Sequence, residues 1–301
     1  MRRVRVPAGR LVPAPVLVLG AGASVQSGAA IAARLFPRAG PGGTVLLRLG
    51  ISALLLLAVS RPRLRGRTAA DVAMAVAFGC VLAAMNFSFY ESLSRIHLGV
   101  AVTVEFVGPL AVAVVGSRRR LDGVWIVLAA AGVVLLSSGG GHVDRLGILL
   151  ALTAGAFWAA YILLAQRVGA VFPGASGLAI ALTVGTVGLA PFGIWSAGGA
   201  LLDPSVLGRG AAVALLSSAV PYSLELVALR RLRASVFGVL MSLEPALAAL
   251  SGLAFLGQHL RLREWAAVGF VMVACVGATR HAPRDELPMQ PGATPTEMVA
   301  A

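Results

Sequence analysis

The sequence predicts an all-α integral membrane protein with ten transmembrane helices, arranged as two five-helix repeats of inverted topology. Apolar residues make up 58% of the 301 residues and charged residues only 12%, a composition unlike that of a soluble domain. Ten apolar segments are near the length of ~20 residues that a helix needs to cross a bilayer. The two halves of the chain also match each other in register.

The ten segments are separated by charged residues or by Gly and Pro. We expect them near residues 14–33, 44–60, 72–93, 98–116, 122–138, 146–165, 176–196, 210–229, 235–257 and 264–279. The first repeat then covers 14–138 and the second 146–280, joined by a loop at 139–145. Residues 1–13 form a basic cytoplasmic start, and the polar residues 281–301 predict a disordered cytoplasmic tail.

The match between the halves is carried by prolines, glycines and leucines 136 positions apart. Pro109 corresponds to Pro245, Leu93 to Leu229 and Gly116 to Gly252. Because each repeat has an odd number of helices, its two copies must enter the membrane from opposite sides. Inverted repeats of this kind are typical of secondary transporters, which bind substrate near the midplane at the repeat interface.

The net charge of +13 comes from 25 basic residues, all of them Arg, that lie mostly in short connections. With the N-terminus in the cytoplasm, 17 of the 25 Arg fall on the cytoplasmic side and 7 outside. The positive-inside rule therefore predicts that both termini are cytoplasmic. We expect anionic lipid headgroups, and no nucleic acid, beside these clusters.

Glu105 and Glu244 stand in the middle of apolar segments, where a charge costs ~2.5–3.5 kcal/mol on insertion scales and commonly marks a functional site. Pro109 and Pro245 remove a helical hydrogen bond beside them, so we expect both helices to be broken at mid-depth. Glu105 corresponds to Met241 in the other repeat. Because the other repeat lacks this acid, we favour for Glu105 a role that only one repeat performs, either proton coupling or contact with a substrate ammonium group. Glu244 is interpreted as a packing or cavity residue.

Other polar residues in the apolar segments are candidates for the lining of a central cavity. They are Glu225, Asn86, Tyr90, Trp158, Tyr161 and Tyr222, with Gln26 treated in the same way. Packing or an interfacial belt is an alternative for each of them. Glu91 is a weaker candidate near a helix end, and Arg48 is expected either to pair with a carboxylate or to extend to the interface.

Nothing in the sequence indicates catalysis, a cofactor or a metal. Cys80 and Cys275 lie in separate apolar segments with no neighbouring ligand residues, which favours a packing role. No Ser/His or His/Glu constellation appears at helical spacing within the apolar segments, and the four His fall at segment ends or in loops. We therefore expect that the protein is not an enzyme.

Five stretches resemble a known family when taken together and in order. They are QSGAAIAARLFP (26–37), EFVGPLAVAV (105–114), GAFWAAYI (155–162), PYSLELVALRRL (221–232) and SLEPALAALSG (242–252). These resemble the bacterial threonine and homoserine exporters of the drug/metabolite transporter superfamily, which have two EamA-type domains. The resemblance covers about 14–280 and departs from the family pattern at Gln258, where Glu is usual, and at Glu91, where the family has an apolar residue.

The resemblance implies proton-driven export of threonine, homoserine or related small amino acids across the bacterial inner membrane. It identifies an amino acid, protons and membrane lipids as the partners. Two alternatives remain at this point. The same fold can carry another metabolite or a drug, and a non-transporting membrane sensor is the alternative from a different class.

Overall fold

The computed structural model describes residues 12–62, 66–115, 122–137, 144–229, 231–232 and 234–281, which are helical apart from short connections. The basic start, the loop around Gly139 to Gly141 and the tail after residue 281 lie outside the described residues. The helices are α1 (Ala14–Ala33), α2 (Phe36–Ser60), α3 (Ala69–Leu93), α4 (Leu98–Glu105), α5 (Val107–Val115), α6 (Asp122–Ser137), α7 (Arg145–Val171), α8 (Ser176–Ala197), α9 (Pro204–Ala214), α10 (Val220–Leu229), α11 (Ala234–Met241), α12 (Glu244–Leu256) and α13 (Leu262–His281).

The described helices confirm the predicted all-α membrane fold class, and they can be grouped into ten spans, in agreement with the predicted count. Eight are long and apolar enough to cross a bilayer, with α4 and α5 making one span and α11 and α12 another. The ninth is the shorter apolar helix α6. The tenth consists of α9, a π-helical turn at Leu215–Ala219 and α10.

Two predicted segments start too late in the sequence, by six residues or more. The second helix begins at Phe36 instead of residue 44, because the chain passes through Gly40 (φ 65°) and Pro41 with a kink and does not form a loop there. The eighth span begins at Pro204 instead of residue 210, and a 3₁₀ turn at Gly198–Leu202 precedes it. Pro204 occupies the first turn of its helix, where the missing N–H costs no hydrogen bond.

Helix starts at two connections are fixed by Asp side chains that accept hydrogen bonds from free backbone N–H groups. Asp144 accepts from Leu146 at 2.8 Å and from Gly147 at 3.3 Å. Asp203 accepts from the Ser205 backbone at 2.8 Å and lies 3.5 Å from the Arg38 guanidinium. The Ser205 hydrogen bonds, with Arg38 adding a smaller effect, hold the pKa of Asp203 below its usual range, so this cap stays ionised at neutral pH.

The fourth and ninth spans are both interrupted at mid-membrane, a few residues before a proline. The fourth breaks at Phe106, between Glu105 and Val107. The ninth breaks at residues 242–243, between Met241 and Glu244. The two breaks are 136 positions apart, as are Pro109 and Pro245. The position at which the helix is interrupted is therefore repeated as well.

The packing of the spans follows the same two-fold pattern. Helix α2 packs on its repeat counterpart α8, and α6 packs on its counterpart α13. Helix α1 packs on α10 and α12 of the second repeat, whereas α7 packs on α3 and α5 of the first. The first helix of each repeat therefore lies against the broken span of the other, as an inverted repeat requires.

Glycines bring each first helix into close contact with a break. A Cβ at Gly155 of α7 would lie 2.6 Å from the carbonyl oxygen of Glu105, and one at Gly108 would overlap the carbonyl of Gly155. In the other repeat, Gly22 of α1 lies against the side chain of Glu244. Small residues allow such approaches between membrane helices.

Gly108→Ala is expected to lower stability by about 1–3 kcal/mol, because backbone atoms of Gly155 occupy the space of the added methyl group. Gly169→Ala is the matched control, since nothing lies within 4 Å of a Cβ at that helical glycine. The measurement is the thermal loss of monodisperse protein in detergent. Equal melting of the two variants would contradict the tight α5–α7 contact.

Candidate functional site

A cavity of about 270 Å³ lies at mid-membrane between the two repeats. Spans one to four and six to nine contribute to its wall, and both broken spans face it beside their breaks. Its lining residues are Val25, Gln26, Ala29, Arg48, Leu49, Leu82, Met85, Asn86, Phe89, Val102, Glu105, Phe106, Trp158, Tyr161, Leu178, Leu182, Ser217, Ser218, Pro221, Glu225, Met241 and Glu244. Irregular backbone at membrane depth is stable where it lines such a cavity.

Three carboxyl groups reach this cavity. Glu105 is the last residue of α4 and Glu244 the first residue of α12, so each stands at a helix break. Both are buried. Glu225, in the middle of α10, is half-buried and also lines the cavity.

Arg48 is the basic side chain among the described lining residues. It lies twelve residues into α2, because that helix starts earlier than predicted. Its Nη1 donates to the Tyr90 hydroxyl at 3.2 Å, and its guanidinium carbon lies 5.6 Å from the centre of the Tyr90 ring. No carboxylate among the described residues lies within ion-pair distance of Arg48. Its remaining donors face a cavity that also holds three carboxyl groups.

Tyr90 is fully buried and does not line the cavity. The rings of Phe36 and Phe89 lie 5.8 and 5.9 Å from it, centre to centre. The structure therefore places Tyr90 behind Arg48, where it fixes the direction of the guanidinium. Of the other candidates, Tyr222 lies in α10, but its side chain is outside the described part of the structure.

The remaining predicted candidates converge on the cavity. Asn86 is buried, and its side-chain amide nitrogen donates to the carbonyl of Leu82 at 2.9 Å. This hydrogen bond does not use the side-chain oxygen of Asn86, which can accept from another group. Trp158 packs edge to face on Phe106, with ring centres 5.0 Å apart. Tyr161 stacks on Phe78 at 5.0 Å. Aromatic walls with a few polar groups are typical of sites for small ligands.

Glu91 lies outside this constellation. Its carboxylate is 3.9 Å from Arg95 in the next turn, near the end of α3.

Sequence reasoning also missed cavity residues, among them Ser217, Ser218, Phe106 and Met241. The signal for Met241 was present, because it corresponds to Glu105 across the repeat. Ser217 and Ser218 belong to the π-helical turn, which no sequence pattern predicted.

The lining retains the repeat symmetry in position but not in chemistry. Pairs of lining residues that lie 136 positions apart include Glu105 with Met241, Phe89 with Glu225, Leu82 with Ser218, and Met85 with Pro221. In the first three of these pairs one residue is apolar and the other can bind a proton or a hydrogen-bonding group. The polar groups of the cavity are thus distributed asymmetrically between the repeats.

Among the residues that the structure describes, no cluster of His, Cys, Asp or Glu could hold a metal ion.

A ten-span inverted repeat around a central polar cavity defines a multi-pass membrane transporter. Residues 145–280 match the model of the EamA-like transporter family. The match corresponds to the second repeat.

Curated relatives extend the similarity to most of the chain. The threonine/homoserine exporter RhtA of Escherichia coli (strain K12) is 46% identical over 268 residues, covering 88% of this chain and 90% of the relative. The exporter of the same name from Salmonella typhimurium (strain SL1344) is 46% identical over 270 residues, covering 88% and 91%. The chain therefore belongs to the threonine/homoserine exporter family of the drug/metabolite transporter superfamily and is a multi-pass inner-membrane exporter.

More distant comparisons agree with the fold. The uncharacterized transporter YwfM of Bacillus subtilis (strain 168) is 31% identical over 184 residues, 60% of this chain and 61% of the relative. One solved crystal structure superposes with a TM-score of 0.59 over 90% of this chain and 98% of the other. At 17% sequence identity, that superposition shows the fold alone.

The cavity wall can be tested by cysteine labelling in a background with Cys80 and Cys275 replaced by Ser. Met241→Cys is expected to react with a small cationic methanethiosulfonate in membrane vesicles, because Met241 faces a polar cavity. Val213→Cys is the control, since Val213 is fully buried and outside the lining. Equal rates of labelling, read by mass shift, would contradict the cavity.

Proposed function

We propose that this protein exports threonine, homoserine and related small amino acids from the cytoplasm in exchange for protons. The observation that carries the proposal is the cavity in which Arg48 faces Glu105, Glu225 and Glu244. A free amino acid has a carboxylate, which a guanidinium binds, and an ammonium group, which a carboxylate binds. The 46% identity to exporters named for threonine and homoserine supports the same substrate class.

The size of the cavity also favours a small substrate. Pockets for drug-sized ligands commonly enclose ~300–1,000 Å³, and the cavity here has about 270 Å³. Its charged groups of both signs suit a zwitterion better than an apolar drug. Export of a drug on the same fold is therefore the less favoured alternative.

We place proton coupling at Glu105. It is a buried acid at the end of a half-helix, and its repeat counterpart is the neutral Met241. A proton and a substrate ammonium group compete for the same carboxylate, since a protonated carboxyl has no charge to pair with the ammonium. Competition of this kind lets a proton entering from one side displace the amino acid toward that side.

Alternating access is proposed to arise from the two repeats, 14–138 and 146–280, moving about the two breaks. The first helix of each repeat touches the broken span of the other through glycines, so a shift of one repeat changes the cavity wall contributed by the other. The excess of Arg in the connections supports an orientation with both termini in the cytoplasm.

The resistance phenotype tests the substrate class. Expression in a sensitive bacterium is expected to allow growth at inhibitory concentrations of homoserine or threonine, and Glu105→Gln is expected to abolish this protection. Glu91→Gln is the matched control, because Glu91 is paired with Arg95 outside the cavity. Growth that is no better with the intact protein would reject threonine and homoserine as substrates.

Counterflow of labelled threonine in vesicles tests the coupling. As pH falls, more of Glu105 carries a proton, so the KM for threonine is expected to rise in the wild type. Glu105→Gln has no titrating group at this position, and any transport that remains should have a KM independent of pH. A wild-type KM that does not change with pH, or a pH dependence that survives in Glu105→Gln, would place the coupling elsewhere.

A further inference from the structure

Two buried polar atoms in the cavity wall have no hydrogen-bond partner among the described residues. They are the side-chain oxygen Oε1 of Gln26 and the hydroxyl oxygen Oγ of Ser217. Gln26 is 3% exposed and Ser217 8%. Buried polar atoms nearly always have a partner, so an unpaired one in a binding cavity points to a ligand group.

Neighbouring hydroxyl groups differ from these two because they are paired within the protein. Ser218 lies 2.9 Å from the hydroxyl of Ser52. Ser24 donates to the carbonyl of Leu216 at 2.8 Å, which joins α1 to the π-helical turn. These hydroxyl groups therefore join the π-helical turn to α1 and α2, whereas the hydroxyl of Ser217 and Oε1 of Gln26 make no such hydrogen bond among the described residues.

Gln26 and Ser217 lie at the same depth in the membrane. Gly28 of α1 packs directly against the Ser217 side chain, with a Cβ at Gly28 placed 2.5 Å from Oγ. Gln26 is two residues from Gly28, a rise of about 3 Å along the helix and a rotation of about 200° around it. The unpaired atoms thus form one polar layer in the sense of depth, and they reach the same cavity from α1 and from the π-helical turn.

The acidic layer lies one helical turn away. Gly22, four residues before Gln26, contacts the side chain of Glu244. The rise over four residues is about 6 Å. Two hydrogen bonds of about 2.8 Å each, together with the short distance between the amine and the side-chain hydroxyl of a small amino acid, are enough to bridge the two layers.

We propose that Gln26 and Ser217 bind the side-chain hydroxyl of the substrate and so select hydroxyl-bearing amino acids over apolar ones of the same shape. Oε1 of Gln26 only accepts, so it needs a donor, and a serine hydroxyl both donates and accepts. A substrate hydroxyl satisfies both at once, whereas its ammonium group is drawn to the carboxyl groups. This inference rests on the proposed export of small amino acids.

The expected selectivity follows from the cost of leaving these atoms unpaired. Valine has the shape of threonine with a methyl group in place of the hydroxyl, and 2-aminobutyrate is homoserine without its hydroxyl. Either analogue would leave Gln26 and Ser217 without a partner, as a site built for a hydroxyl rejects the substrate that lacks one. Wild-type kcat/KM is expected to be at least about tenfold higher for threonine than for valine.

Gln26→Leu removes the acceptor while nearly keeping the volume. In vesicle counterflow it is expected to lower kcat/KM for threonine about tenfold and to leave that for valine unchanged or higher, so the preference disappears. Ser217→Ala is expected to act in the same direction. Ser24→Ala is the control and should retain the wild-type ratio, because Ser24 lies outside the cavity lining and its hydroxyl already donates to the carbonyl of Leu216.

A fall in threonine and valine transport by the same factor, or an unchanged ratio in both Gln26→Leu and Ser217→Ala, would overturn the proposal. If Gln26→Leu does not remain monodisperse in detergent, Ser217→Ala decides the outcome alone. Absence of threonine and homoserine transport in the wild type would instead reject the proposed function. The two failures are therefore distinguishable.

Discussion

The membrane offers no hydrogen-bond partner to backbone released from a helix, so the breaks before Pro109 and Pro245 must be enclosed by the protein. Most of the architecture follows from this constraint. Glycines on α1 and α7 let these helices lie against the breaks of the opposite repeat. The same enclosure leaves a polar cavity between the breaks, and the acids at the two half-helix ends, Glu105 and Glu244, face it.

Much of this fold is predictable because the constraint leaves a strong pattern in the sequence. Long apolar segments gave the ten spans, and the 136-residue register of the prolines gave the repeat. The start of the second helix was not predictable in the same way. Gly40 and Pro41 do interrupt the helix, because Gly40 has a non-helical backbone conformation, but further helical residues from Phe36 precede the kink and α2 packs on α8. The local signal located the interruption and missed the helical residues before it.

The candidate site was predictable where a residue type is conspicuous at membrane depth, as Glu105 and Asn86 are. It was less predictable where the orientation of a side chain depends on the exact rotation of its helix. Tyr90 lies behind Arg48 for this reason. Ser217 was missed because a π-helical turn changes which residues face inward, and serine is common in membrane helices. Such turns occur often at functional sites, although no pattern in a short apolar sequence predicts them.

The contacts of the two first helices have a consequence for the transport cycle. Gly22 meets the carboxyl-bearing Glu244, whereas its counterpart Gly155 meets Gly108. In the alternating access proposed above, exchanging the conformations of the two repeats would not regenerate an equivalent molecule, since the Glu244 carboxyl group would change its surroundings on one side only. The inward-open and outward-open forms would then have unequal free energies even without any gradient, and the empty protein would favour one of them.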